Sequence, residues 1–580
     1  MLPDALFRSL MPLENPIGFG PVDFLELALT LVLVGLALTW RPWIAPFAAR
    51  LARQPVWCLA LLAALPVVLR LALLRNHPVP TPDLYDEFGH LLVADTLRHW
   101  RLANPPHAMH RFFETFFVLQ QPTYSSIYPI GNGLMLALGW TMLGLPWTGV
   151  LVSVAALCGL CYWMLRGWVT PRWALFGGIL AVFEFGPLNQ WTNNYWGGAF
   201  SAAAGCLVFG ALPRLRNRGR LRDGVWLGLG LAMHVLSRPY ESIFLLVGVG
   251  SFLLAGSSRT LRRPLCVAGL VLLPALGITL LQNKRVTGEW ATLPYALSQY
   301  QYGVPAALTF QKPPVPHLQL TPEQELDYRM QANFHPGADT LGSYLARMMF
   351  RIRYYRFYFY PPLYLALVAF LVSMRSYRWV WVALTCLVFA LGINFFPAFQ
   401  FHYLAAVVCL FLLMSVKGLE RLSRLPHGKE AVRLIVFLCI AHFTFWYGAH
   451  LTDLDVMRFD VWDSINHQNP ERRIAVAKEI AQMPGKLLVF VRYWPQHIFQ
   501  DEWVYNGADI DGQRVVWARD LGDSENRQLE HYYEDRKYLL LEPDSRPPRL
   551  GPYQAEAPAA PPQAPAAAPQ HPLIQLENVQ

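Results

Sequence analysis

Charge is scarce in this chain. Asp, Glu, Lys and Arg make up 15% of its 580 residues, apolar residues make up 54%, and the mean hydropathy is +0.27. A soluble domain carries nearer a quarter charged residues, so the balance points away from one and toward the membrane. Cysteine is missing from the stretches between apolar runs. All eight (58, 158, 161, 206, 266, 386, 409 and 439) fall inside those runs, which argues against a disulfide framework. The Cys158/Cys161 pair forms a CxxC within an expected membrane helix and reads as packing. The opening "MLPDALFRSLMPLENPIGFG" lacks the basic region of a cleavable signal, so the run after it is expected to stay as an anchor. No internal repeat stands out.

Long apolar runs are plentiful. A hydrocarbon core needs about 20 apolar residues, and Val22–Trp40, Pro55–Leu74, Gly197–Leu212, Pro264–Leu281 and Leu434–Tyr447 are the clearest candidates, with Trp and Tyr crowding their ends. The net charge of +9 resides in short loops between runs: "RLRNRGRLR" (214–222), "SSRTLRR" (257–263), "RSYR" (375–378) and "KGLERLSRLPHGKEAVR" (417–433). That is the positive-inside pattern, which makes these loops cytoplasmic and argues against nucleic acid as a partner. The segments at 75–129, 188–197, 237–241, 283–360, 396–402 and beyond 450 then lie outside. The run from Ile130 to Leu145 is short, holds four glycines and breaks the parity of this topology, so a re-entrant segment is expected there. The fold class expected is a mainly α, polytopic helical bundle of about 11 to 13 spans.

The domain plan has four parts: an anchor span and basic loop at 1–54, a membrane domain at 55–450, a small α/β extracytoplasmic domain at 451–545, and a disordered tail at 546–580. In the third, "NPERRIAVAKEIAQMPG" and "DSENRQLEHYYEDR" read as helices, and "KLLVFVRYW", "QRVVWARDL" and "KYLLLEPD" as strands. The tail is rich in Pro, Ala and Gln, with almost nothing bulky to bury.

Against this background, "TPDLYDEFGHLLVADTLRHW" (81–100) is unusual, with Asp83, Asp86, Glu87 and His90 within eight positions. Read as a helix capped by Thr81 or Asp83, it gathers these four within an arc of roughly 100°, at about 100° per residue. Such a helix would lie along the membrane surface, its acids either solvated or presented to a substrate. Glu87 and His90 have the Glu-x-x-His spacing of di-iron bundles, but no second copy exists in the chain; a lone ion at Asp86 and His90 stays open. The other chemical reading is a general base at a membrane-edge cavity.

"YDEFGH" after a first core span resembles the first-loop Asp-Glu motif of membrane glycosyltransferases of the GT-C fold. The nearest group is the protein O-mannosyltransferases and lipid A aminoarabinose transferases (glycosyltransferase family 39-like). "SIYPIGNG" leading into the next apolar segment, and His402-Tyr403 opening a late span, add to the resemblance. It implies a polyprenyl-phosphate sugar donor and transfer on the outer face of a bacterial inner membrane. Asp86 would be the base and Glu87 its partner. The departing phosphate needs a cation, for which Arg238, Lys284, Arg285 and His402 are the outer-side candidates. Asp83, His90, Asn194, Trp196, Tyr240, Glu241 and Tyr403 are candidates for substrate contacts. Arg238 and Glu241 could equally be a structural pair, and Lys284 and Arg285 interfacial snorkelling residues.

One departure matters. Related enzymes often carry a second acid in the next outer loop, and here "NQWTNNYWGG" (189–198) has none. A metal role is therefore unknown, with a divalent cation neither required nor excluded. The acceptor class (protein, lipid or glycan) is open as well. The competing readings are a lipid or solute transporter, although such proteins commonly show repeats and mid-membrane charges, and a non-catalytic membrane scaffold.

Overall fold

The structure, a computed structural model, describes residues 21–39, 45–255, 261–334, 337, 339–355, 358–452 and 471–553. The first 20 residues, positions 257–260 of one basic loop and the tail from 554 lie outside the described residues. The chain forms two compact units. One comprises Met1–Pro80, Pro129–Thr279 and Leu341–Gln468; the other comprises Thr81–Tyr128, Leu280–Thr340 and Asn469–Gln580.

The first unit is helical, and its helices make this an integral membrane protein. Among the described residues, five helices are long and apolar enough to cross a bilayer: Pro55–Ala72, Pro146–Leu165, Arg262–Thr287, Phe401–Leu422 and Gly428–Leu451. Shorter apolar helices include Ile130–Leu143, Glu241–Leu254 and Tyr377–Ile393. Proline opens several of them (Pro55, Pro146, Pro171), where its missing N–H costs nothing and its fixed φ suits the first turn. Ile130–Leu143 covers 14 residues, about 21 Å at 1.5 Å per residue, short of a roughly 30 Å core. It packs on Pro146–Leu165 so closely that a Cβ on Gly139 or Gly149 would collide with the other helix's backbone. This small-residue contact is how helices meet when no water drives them together.

Arg70 is buried at the end of Pro55–Ala72, only 1% exposed. Its Nε donates to Asn193 Oδ1 at 2.7 Å, its two Nη groups donate to the carbonyls of His77 and Pro78 at 2.9 Å, and its guanidinium lies 4.9 Å from the Trp147 ring centre. Tyr195 donates to the Pro80 carbonyl at 2.8 Å. The carboxylate-free loop "NQWTNNYWGG" thus fastens the run 77–80 directly through Tyr195 and, by way of Arg70, through Asn193.

A second set of arginines caps a helix. Arg351 donates to the carbonyls of Ile393, Phe396 and Pro397, and Arg347 to that of Asn394, at the C-terminus of Tyr377–Ile393. Cations are favoured there by the helix dipole and the unsatisfied carbonyls. Arg351, which opens "RIRYYRFYFYPP" (351–362), and Arg347 just before it thus spend these donors on protein backbone.

The second unit is built on a sheet. Two short strands, β1 (Val118–Leu119) and β2 (Ser125–Ser126), pair antiparallel. Then β3 (Leu487–Val491), β4 (Val515–Arg519), β5 (Lys537–Glu542) and β6 (Arg549–Pro552) form a sheet in the order β4-β3-β5-β6. The first three are parallel, and β6 is antiparallel to β5. Central β3 is buried at all five positions, as a covered parallel strand should be. Its alternation supplies two cores. Leu488 and Phe490 pack with Val516, Ala518, Leu529, Phe112, Phe113 and Leu92, whereas Leu487, Val489 and Val491 pack with Val476, Ile480 and Trp503. β6 falls within the segment expected to be a tail from 546. The strand forms because Leu550 and Tyr553 still have cores to join.

The expected C-terminal strands and helices all form, and they pack around the segment that carries the acidic helix. The acidic helix runs Tyr85–Arg98 with Leu92 fully buried against the sheet, which is worth about 2 kcal/mol for one leucine side chain. The segment 501–508 holds both ends of that helix. At the start, Leu84 and Asp501 form a β-bridge, and Glu502 N–H donates to the Asp83 carbonyl at 3.2 Å. At the far end, Ala508 N–H donates to Asp95 Oδ2 at 2.8 Å.

Candidate functional site

The acidic helix is a core element of its unit rather than a surface helix: Asp86, Glu87 and His90 are each under a tenth exposed. The expected cap, Thr81 or Asp83, is replaced by Leu84. Glu87 supplies the missing acceptor, its Oε2 taking the N–H groups of Asp83 at 3.0 Å and Leu84 at 3.2 Å. This is the reciprocal half of a capping box, and it commits Glu87 to the backbone.

Asp86 has a different partner. The Tyr128 hydroxyl donates to its Oδ1, and the Tyr128 ring stacks on His90 at 4.2 Å and 27°. Asp83 points toward the C-terminal segment, with Arg473 Nε 3.8 Å from its Oδ1 and Arg473 Nη2 3.5 Å from Asp501. Arg473 also lies over the rings of Phe88 and Trp503, at 4.9 and 4.3 Å. Burial and the neighbouring Asp501 carboxylate push the Asp83 carboxyl well above the usual range, against the pull of Arg473. Asp83 thus anchors the start of the helix.

The two cations on the same unit stand elsewhere. Lys284 and Arg285 are exposed on the last turns of Arg262–Thr287, and Lys284 Nζ donates to the Gly288 carbonyl at 2.5 Å, capping its own helix. The buried side of that turn serves the acidic helix's neighbours: Gln282 Nε2 donates to the Tyr128 carbonyl at 3.0 Å, and Val286 joins an apolar cluster with Phe117 and Ile127.

The remaining candidates gather in the helical unit. Arg238 Nη1 lies 3.7 Å from Glu241 Oε1, an ion contact too long for a hydrogen bond, and its guanidinium sits 5.4 Å from the Tyr403 ring centre. Its side chain keeps 20% exposure, whereas Glu241 is buried. Phe396 links Tyr240 and Tyr403, each at 4.9 Å, and His402 lies 5.0 Å from Tyr403 and 5.3 Å from Trp196. Tyr240 donates to the Gly392 carbonyl at 3.0 Å. Asn194 uses its Oδ1 to accept the Trp196 N–H at 3.0 Å, shaping its own loop. Six candidates (Trp196, Arg238, Tyr240, Glu241, His402 and Tyr403) therefore form one partly exposed, cation-bearing aromatic cluster.

The chain is similar to solved membrane enzymes. Against ArnT from Cupriavidus metallidurans in the apo state the TM-score is 0.49 at 11% identity, covering 83% of this chain and 92% of that one. For the same protein bound to undecaprenyl phosphate the score is 0.47 with the same identity and coverage. For the oligosaccharyltransferase of Archaeoglobus fulgidus in the apo form it is 0.37 at 11% identity, covering 84% of this chain and 69% of that one. No family model and no curated protein matches the chain.

Among the described residues, no group of three or more His, Cys, Asp and Glu side chains is placed to hold a metal ion. Three residues with clear roles were not singled out from sequence: Tyr128, which contacts the acidic helix, Arg70 in the helical unit, and Arg473, which also contacts the acidic helix. The first stands in the quoted "YPIG" motif. The second was detectable as an ionisable residue inside an apolar run. The third carried no signal, because "ERR" at a helix start is ordinary.

Proposed function

We propose that this chain is a membrane glycosyltransferase that moves a sugar from a polyprenyl-phosphate donor to an acceptor on the outer face of a bacterial inner membrane. The observation that carries the assignment is the division of labour at the first-loop acid pair. Glu87 accepts two backbone N–H groups at the start of the helix, whereas Asp86 is buried with the Tyr128 hydroxyl donating to it, and Asp86 is the carboxylate this reading assigns to the chemistry. In the reaction, an acceptor hydroxyl or amine attacks the anomeric carbon while the Asp86 carboxylate takes its proton. The bond from that carbon to the lipid phosphate oxygen breaks, the electron pair leaves on the phosphate, and the anomeric centre inverts. A phosphate is already a good leaving group, so a cation matters more than a general acid.

Arg238 is the cation this reading assigns to the departing phosphate. It is partly exposed, and its planar fork matches phosphate geometry. Lys284 is occupied with its own helix end. Trp196, His402 and Tyr403 offer ring faces on which a sugar or isoprenoid unit can rest.

The test is transfer of label from undecaprenyl-phosphate-linked mannose, glucose, galactose and arabinose to membrane lipid, protein or glycan by the purified full chain. Transfer from at least one donor, lost about a thousandfold in Asp86→Asn, is the expected result. Turnover of none, or full activity in the variant, overturns the reading.

A further inference from the structure

Asp86, Gly89 and His90 stand at i, i+3 and i+4, so they share one patch of the acidic helix. That patch is a socket for Tyr128. The phenol donates to Asp86 Oδ1, the ring lies flat on His90 at 4.2 Å, and the ring edge fills the space left by the missing side chain of Gly89. A Cβ at Gly89 would stand 2.8 Å from Tyr128 Cε2 and 2.9 Å from Cδ2, closer than real contacts allow. Further contacts hold Tyr128, which is half-buried, in place. Tyr128 donates its N–H to Ser126 Oγ at 3.3 Å, accepts from Gln282 at its carbonyl, and meets Phe117 edge-on at 6.1 Å. The Tyr128 side chain thus reaches this patch from 42 positions further along the chain.

We propose that Tyr128 is the positioning residue of the reacting carboxylate, seated by Gly89 and His90. The inference rests on Asp86 being the base. The phenolic O–H sets the plane of the carboxyl group and, as a donor to a charged oxygen, favours its ionised form. An acid that must be ionised before it can accept a proton then stays competent at lower pH. "D-x-x-G-H" together with "YP" at the loop's end would be one device rather than two motifs.

The experiment compares wild type, Tyr128→Phe, Gly89→Ala and the double variant as full-length protein in nanodiscs. Two readouts are used. One is the pH dependence of transfer from whichever undecaprenyl-phosphate-linked sugar is turned over. The other, independent of turnover, is the carboxylate infrared band lost in Asp86→Asn, followed against pH in aspartate-labelled protein.

Removing the phenol should move the acid limb of the rate profile and the infrared titration upward by about one pH unit. The maximal rate should fall roughly tenfold, a modest loss for a group that acts only by orienting. Gly89→Ala, which keeps the phenol but displaces it, should shift both readouts in the same direction, and the double variant should shift no further than the larger single. An unmoved infrared titration and acid limb in Tyr128→Phe overturn the proposal. Additive shifts in the double variant overturn the socket. Should Asp86→Asn keep full transfer while the band still moves in Tyr128→Phe, the contact is upheld and the base reading fails.

Discussion

The two clusters of candidate residues are built in opposite ways. At the acid cluster every charged group is restrained by its own unit: Glu87 by backbone N–H groups, Asp83 by Arg473, and Asp86 by Tyr128, on a helix held at both ends by residues 501–508. At the cation cluster, Arg238 has a 3.7 Å contact with Glu241 and a ring beneath it, and its side chain keeps 20% exposure. A base must be aimed before substrate arrives, because misplacement by an ångström costs rate. A phosphate-binding cation gains by retaining donors that the ligand can use. The difference separates a preorganised group from one that completes its contacts on binding.

That contrast can be broken experimentally. Arg238→Gln should lower kcat by about a hundredfold, as loss of one donor to developing charge does elsewhere, while the melting temperature stays within a degree or two. A large loss of stability instead would make the Arg238–Glu241 contact structural. Asp95→Ala should do the reverse. It strands the buried Ala508 N–H, at a cost of about 1–3 kcal/mol, read as faster hydrogen exchange across residues 85–98 with the reaction's pH profile unmoved.

Asp327, buried on the helix Pro322–Phe334 and bonded by Gln331 at 2.7 Å, sharpens the acid side further. Burial pushes its carboxyl up to about 7. The folded chain then holds a proton that the unfolded chain releases near pH 4, so this contribution is full at low pH and lost as pH rises through about 7. Melting should fall between about pH 4 and 7 and level off above, and Asp327→Asn should flatten that slope. The smallest effect expected is at Lys284, where Ala should change transfer by less than about twofold, since an exposed side chain bonded to its own helix end carries little.

How much of this was legible beforehand follows from the range of each signal. Hydropathy is summed over a whole helix, so the five clearest runs all became helices, and the short continuous apolar run "LLVFV" marked β3. The arc holding Asp86 and His90 was also readable, because helical period is local. Which acid would be spent on the cap was not, since Leu84 could take that position only with Glu87 three residues on. The Tyr128 contact joins positions 42 apart in sequence, and the C-terminal clamp on the acidic helix joins positions about 400 apart. Neither leaves a periodic trace. Arg347 and Arg351 give donors to helix-end carbonyls that sequence does not display.

The central claim is that two adjacent, equally buried carboxylates do different work. It is tested most directly by removing one charge at a time without changing shape, and measuring transfer and melting on Asp86→Asn and Glu87→Gln side by side. An amide oxygen can still accept the Asp83 and Leu84 N–H groups, so Glu87→Gln should keep transfer within about tenfold, whereas Asp86→Asn should lose about a thousandfold with its melting temperature intact. The opposite pattern, with Glu87→Gln inactive and Asp86→Asn active, would contradict the account.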